Sequence, residues 1–156
     1  MRTVVQRVQR AEVRVDGEAV GTIATGALLL VGVESGDTED DAVATAKKIA
    51  AMRFFPGATP MDRTLADVGG ACLVVSQFTL AAALRKGNRP SFTRAEQPEV
   101  AESLYLRVAD ELRATGLEVQ TGAFGADMKV ELVNDGPVTL VLERVPASVD
   151  GAASGG

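Results

Sequence analysis

Apolar and polar residues alternate at the start of the chain. Across residues 3–15, Val4, Val8, Val13 and Val15 interleave with Arg and Gln, the two-residue period of a half-buried strand. Asp16-Gly17 is a hairpin signal, and residues 20–24 are expected to return from it. Residues 27–33 are continuously apolar, which predicts a strand buried on both faces. The period then lengthens. Val43, Ala46, Ile49, Ala50 and Phe54 recur at helical spacing across residues 38–55. Asp37 or Thr38 is placed to cap this helix, and Glu39, Asp40 and Asp41 suit the positive end of its dipole. These acidic residues read otherwise as a solvated face, and Pro56-Gly57 stops the helix.

Residues 57–70 read as loop, and residues 72–78 as a second buried strand with Cys72 as inert core. Residues 81–97 are irregular around the turn cluster Gly87-Asn88-Arg89-Pro90. Pro98 suits the first turn of a second helix. Val100, Leu104, Val108 and Leu112 mark its apolar face, with Tyr105 as a polar-tipped edge and Gly116 as the stop. Three strands are expected after it, at 117–121, 128–134 and 138–145. Asn134-Asp135-Gly136-Pro137 joins the last two as a hairpin turn. About seven strands and two main helices predict a single α/β domain over residues 1–145. Its mixed, barrel-like sheet carries the helices on one side. Residues 146–156 are rich in Gly, Ala and Ser and are expected to be a disordered tail.

Composition narrows the chemistry. Histidine is absent, which removes Ser-His-Asp and Cys-His mechanisms and every His-based metal site supplied by this chain alone. With one cysteine there is no intrachain disulfide, and no metal-ligand spacing is visible, so neither metal nor cofactor is expected. No apolar run reaches the roughly 18–20 residues of a membrane helix. The opening residues do not form a signal peptide, so a cytoplasmic location without membrane contact is expected. A net charge of −5 argues against broad, nonspecific binding to phosphate backbones but leaves room for a local basic patch.

Four places carry candidate chemistry. Ser76-Gln77-Phe78-Thr79 closes a buried strand. Its hydroxyls either bond to nearby backbone or form a lip of donors and acceptors at a pocket. Ser76 lacks both a Gly-x-Ser-x-Gly elbow and a histidine, so it is a poor nucleophile. Gly136-Pro137 is first of all a turn. Because Pro137 has no N–H, the same tip could offer carbonyls to an amine on a ligand. Arg85, Lys86, Arg89 and Arg94 surround Phe92. They form either a solvated loop or a phosphate-contacting loop with an aromatic for a base. Phe124, between Gly122 and Gly125, reads as a core plug or as a second pocket aromatic.

Taken together, five stretches resemble the D-aminoacyl-tRNA deacylase family. They are Val4-Val5-Gln6-Arg7-Val8, residues 73–80, Arg89-Pro90-Ser91-Phe92, residues 121–128 and residues 132–139, in family order. The resemblance implies a homodimer that hydrolyses the ester between a D-amino acid and the 3′-terminal ribose of tRNA, and glycyl-tRNA with it. It implies that a cis Gly136-Pro137 motif reaches into the partner subunit's site and rejects L side chains by collision. Ser76, Gln77, Phe78 and Thr79 would line the pocket and Arg7 would steady the tip. Phe92 and Phe124 would help form the walls and the terminal-adenosine site. The ribose 2′-hydroxyl would help activate water, with Thr79 and backbone N–H groups around Gln77 positioning that water or the oxyanion. Three other readings compete. One is a relative of relaxed chirality that clears mischarged L-alanine, one a tRNA 3′-end binding module without catalysis, and one a structural homodimer.

Overall fold

The computed structural model describes residues 1–144. The tail at 146–156, and Val145 before it, lie outside the described residues. Strand β1 (Arg2–Val15) organises the sheet. Its first half pairs antiparallel with β3 (Gly26–Gly32) and its second half with β2 (Glu18–Ile23). β6 (Lys129–Glu143) runs antiparallel along its other edge. Beyond β3 the sheet turns parallel: β3 pairs with β4 (Ala71–Ser76), and β4 with β5 (Glu118–Thr121). The order is β2-β1-β3-β4-β5 with β6 on β1, a mixed sheet of six strands. The sheet curls until β2 nearly meets β5. The Thr22 N–H donates to Gln120 Oε1 at 2.7 Å, and a Cβ on Gly21 would lie 2.8 Å from the Thr121 carbonyl oxygen.

The expected double-faced burial holds for residues 27–33 and for 72–75 but not for 76–78, and it follows from this curl. Ala27, Leu29, Val31, Cys72 and Val74 face outward onto the helices, whereas Leu28, Leu73 and Val75 fill the barrel with Val8, Ala11, Val13 and Ile23. Val8 and Ala11 share that interior although they differ in parity along β1. The pairing of β1 with β6 shifts between Val8 and Arg10, and that irregularity turns the second half of the strand over.

Helices α1 (Glu39–Ala51) and α2 (Pro98–Ala114) both pack on the outer face through Ala42, Ala46, Ile49, Leu104, Val108 and Leu112. Thr38 caps α1 in a capping box with Asp41. Asp41 is therefore buried, unlike the solvated face expected of it, and it also accepts from Arg144 Nε at 2.9 Å. α1 ends at Ala51, short of the expected 55. Phe54 and Phe55 continue the apolar pattern as extended backbone, and the Phe55 N–H and carbonyl bond to Arg63 and Asp62. Residues 72–78 likewise stop being strand at Ser76, and Phe78–Ala81 is a 3₁₀ turn.

The largest departure from expectation is at Asn134-Asp135-Gly136-Pro137, which is not a hairpin turn. Residues 129–134 and 139–143 both pair with β1 and run in the same direction, so the described residues form six strands where about seven were expected. Val8 pairs with Asn134 and Gln6 with Thr139, so Asp135, Gly136, Pro137 and Val138 stand opposite Arg7 alone. The four residues form a bulge in one long edge strand.

Candidate active site

The parallel part of the sheet has one end where β3, β4 and β5 all finish. Side chains converge outside the carboxyl ends of parallel strands, and ligands bind there in α/β sheets generally. A cavity of about 500 Å³ opens at this end. Val33 follows β3, while Val75, Ser76, Gln77 and Phe78 close β4. Phe124 to Met128 follow β5, and Glu96, Pro98 and Ala101 bring the start of α2 to the wall. The N–H groups of the first helical turn have no partner within the helix, and Pro98 has none to offer, so this wall carries the positive end of α2.

Backbone bonds hold each segment in place. The Gln77 N–H donates to the Val31 carbonyl at 2.8 Å, and the Glu96 N–H to the Val33 carbonyl at 3.1 Å. The Gly122 N–H donates to the Val74 carbonyl at 3.0 Å. Phe124 stacks on Tyr105, with ring centroids 5.6 Å apart. Tyr105 is fully buried, not a helix edge, and burial raises its phenol pKa against the lowering effect of its hydrogen bond to Thr121. Phe124 is thus both partly core and cavity wall. The cavity is chiefly apolar, and its ionisable side chains are Glu96 and Asp127. Neither stood out in the sequence, because a carboxylate in a loop carries no periodic signal.

Four of the predicted site residues, Ser76, Gln77, Phe78 and Phe124, therefore lie on one cavity. Thr79 stands beside it on the 3₁₀ turn, exposed, where its hydroxyl accepts from Gln77 Nε2. Phe92 is not on the wall. It meets Phe78 edge to face at 5.1 Å, and both rings remain open to solvent. Arg7, Gly136 and Pro137 form a separate cluster. Arg7 Nε donates to the Asp135 carbonyl at 3.1 Å, and Nη1 to the Phe54 carbonyl at 2.9 Å. The Arg7 side chain is only 10% exposed. Gly136 has φ +121, a conformation that L side chains rarely adopt, and a Cβ there would lie 2.8 Å from Arg7 Nη2. The Gly136–Pro137 peptide is cis. Asn134 braces the bulge from within, its Oδ1 accepting from the Val138 N–H and its Nδ2 donating to Thr139 Oγ1. Neither Gly136 nor Pro137 lines the cavity of its own chain. No group of three or more metal-ligating side chains occurs among the described residues, and no helix there is long and apolar enough to cross a membrane.

The family model for D-Tyr-tRNA(Tyr) deacylase matches residues 4–143. The D-aminoacyl-tRNA deacylase of Paracoccus denitrificans (strain Pd 1222) is 58% identical over 92% of this chain and 97% of its own. That of Anaeromyxobacter dehalogenans (strain 2CP-C) is 56% identical over the same shares. Among solved structures, c-Myc DNA Unwinding Element Binding Protein superposes with a TM-score of 0.87 at 39% identity, covering 93% of this chain and 99% of that one. A probable eukaryotic D-amino acid tRNA deacylase shares the fold, with a TM-score of 0.78 at 15% identity over 90% and 97% of the two chains.

Proposed function

The chain belongs to the D-Tyr-tRNA(Tyr) deacylase family, an ester hydrolase of D-aminoacyl-tRNA, and from that premise we propose how its residues divide the work. The cavity at the carboxyl ends of β3, β4 and β5 receives the aminoacyl ester and the terminal adenosine. The observation that carries this reading is the convergence of Ser76, Gln77, Phe78 and Phe124 on one cavity. The Phe78 and Thr79 N–H groups start a 3₁₀ turn and have no partner within it, so they are available to an oxyanion. Thr79 fixes the Gln77 carboxamide through the bond between them. With no histidine in the chain, the 2′-hydroxyl of the terminal ribose assists the attacking water. Water adds to the ester carbonyl, the tetrahedral oxyanion is held by the backbone N–H groups, and the ribose oxygen leaves with a proton.

Chiral selection falls to Gly136 and Pro137. Because they lie outside their own chain's cavity, the proposal has them reach the cavity of a second copy, in a homodimer. There their carbonyls face the substrate amine and leave no room for an L side chain, while glycine and D-residues fit. Arg7 sets the position of this tip, and Phe92 extends the wall from Phe78 toward the adenosine.

The test is hydrolysis of D-Tyr-tRNA and L-Tyr-tRNA at catalytic enzyme concentration with a chelator present. Rapid loss of the D-ester alone supports a metal-independent chiral editor. Loss of neither ester refutes the deacylase reading and leaves a binding module. A direct catalytic role for the Thr79 hydroxyl predicts a loss of about 10³-fold or more in Thr79→Ala, and an orienting role about 10²-fold or less. A monomer that retains full activity and chirality refutes the cross-subunit tip.

A further inference from the structure

The sixteen Lys and Arg side chains are distributed unevenly with respect to partners. Nine make ion pairs with carboxylates among the described residues: Arg2, Arg7, Arg10, Arg14, Arg94, Arg107, Arg113, Lys129 and Arg144. Seven do not, and three of those seven, Arg85, Lys86 and Arg89, fall within five residues. They sit on a loop that projects from the rim of the cavity. Paired bonds between Ala83 and Ser91, at 2.7 and 3.0 Å, close the loop at its base. Every residue from 84 to 90 is exposed. The loop returns through Phe92, whose ring touches Phe78 on the cavity wall. Arg94, the fourth cation of the segment, is tied to Glu34 and belongs to the scaffold.

An acidic protein with a cavity whose own ionisable groups are acidic gains nothing at that cavity from a general attraction to polyanions. A cluster of unpaired cations at its rim is the feature that can supply one locally. We propose that the 84–90 loop is the docking site for the phosphates of the single-stranded 3′ end of tRNA, immediately upstream of the terminal adenosine. The inference rests on the deacylase reading above and deepens it. The exposed Phe78–Phe92 pair lies between cavity and loop, so a strand whose last nucleotide enters the cavity passes an aromatic surface before reaching the cations. Arg85, Lys86 and Arg89 then act as counter-ions to the backbone and read no sequence.

Counter-ion release makes the proposal quantitative. Each phosphate neutralised on a single strand contributes about −0.7 to the slope of log kcat/KM against log salt concentration. Removing three contacts flattens that slope by about 2 and costs about 10²-fold at 0.1 M salt. The experiment compares the parent with Arg85→Ala/Lys86→Ala/Arg89→Ala on two substrates, D-Tyr-tRNA and the 3′-D-tyrosyl ester of adenosine, which carries no phosphate. The expected result is the flattened slope and slower hydrolysis with tRNA, and rates within about twofold on the adenosine ester. Lys47→Ala/Lys48→Ala removes two exposed, unpaired cations from α1 and is expected to leave the slope unchanged.

An unaltered slope in the triple variant overturns the proposal. So does an equal loss on both substrates, which makes the loop a support for the cavity. An equal flattening in the Lys47/Lys48 control assigns the effect to net charge and overturns it too. A parent that hydrolyses neither ester refutes the deacylase reading itself, and is distinguished from these outcomes by the silence of the parent.

Discussion

Arg7 offers the sharpest test of how the Gly136-Pro137 bulge is held. Its guanidinium spans two carbonyls from distant parts of the chain, Asp135 on the bulge and Phe54 after α1, at 3.1 and 2.9 Å. Each is a charge-assisted bond on a side chain with 10% exposure, worth about 1.5–3 kcal/mol. Arg7→Ala forfeits both and leaves the two carbonyls short of a donor, a loss of about 3–5 kcal/mol. For a chain of this length that is about 6–20 °C in Tm. Arg7→Lys is the more discriminating change. A single ammonium reaches one carbonyl but lacks the planar fork that bridges two, so about 2 kcal/mol and about 4–8 °C are expected. If Arg7 positions the bulge for catalysis, Arg7→Lys also loses about 10²-fold in kcat/KM on D-Tyr-tRNA and narrows the preference for D over L. Thermal unfolding and paired hydrolysis of the D- and L-esters read the two effects separately. A lysine variant that melts within about 1 °C of the parent refutes the bridging argument. One that melts early yet keeps full rate and chirality limits Arg7 to stability.

Two further predictions concern the scaffold. Burial acts to raise the Asp41 carboxyl pKa, but the Thr38 backbone N–H, Arg144 and the Thr38 hydroxyl outweigh it and hold the group below its ordinary value. A depressed folded pKa stabilises above the unfolded value and is lost as pH falls through the folded one. Tm should therefore drop on acidification below about pH 4, and Asp41→Asn should show a shallower drop from a lower starting point; parallel acid limbs in parent and variant would contradict this. Cys72 is fully buried, and burial pushes its thiol up to about 12. Native protein at about pH 8 should resist iodoacetamide while urea-unfolded protein reacts fully, and equal rates in both would remove Cys72 from the core.

Local pattern made the sheet core legible, because residues 27–33 and 72–75 are apolar without interruption and each carries a face into both clusters. It misjudged the segments whose structure depends on distant partners. Asn134-Asp135-Gly136-Pro137 has the residues of a turn, and a bulge needs the same residues, since both require unusual backbone angles. What separates them is whether the flanking strands pair with each other or with a common neighbour, and that neighbour, β1, lies more than a hundred residues earlier. Phe54 continued a helical period past the end of α1 because core contact, not helix, keeps it apolar. At the site, the Ser76-Gln77-Phe78 lip could be picked out by its place after a buried strand. The walls from Val33, Glu96 and Met128 could not, because topology alone brings them to the same end of the sheet.

The cavity and the Gly136-Pro137 bulge draw on different properties of one sheet. Parallel strands β3, β4 and β5 necessarily end together, so their loops and the start of α2 enclose a cavity without any special residue to shape it. An antiparallel ribbon does not gather loops at one end in this way, but its edge can be interrupted. The β1–β6 pair has room for a four-residue excursion only because β6 is an edge strand with a free side. The excursion would be loose if left to itself, since it gives up the ladder bonds of its residues. Arg7 occupies the single β1 position opposite it and ties the excursion, by a bond to the Asp135 carbonyl, to the Phe54 carbonyl after α1, while Asn134 closes the loop from within. The tip is thus held by side chains on both sides of it and stands outside the lining of its own chain's cavity.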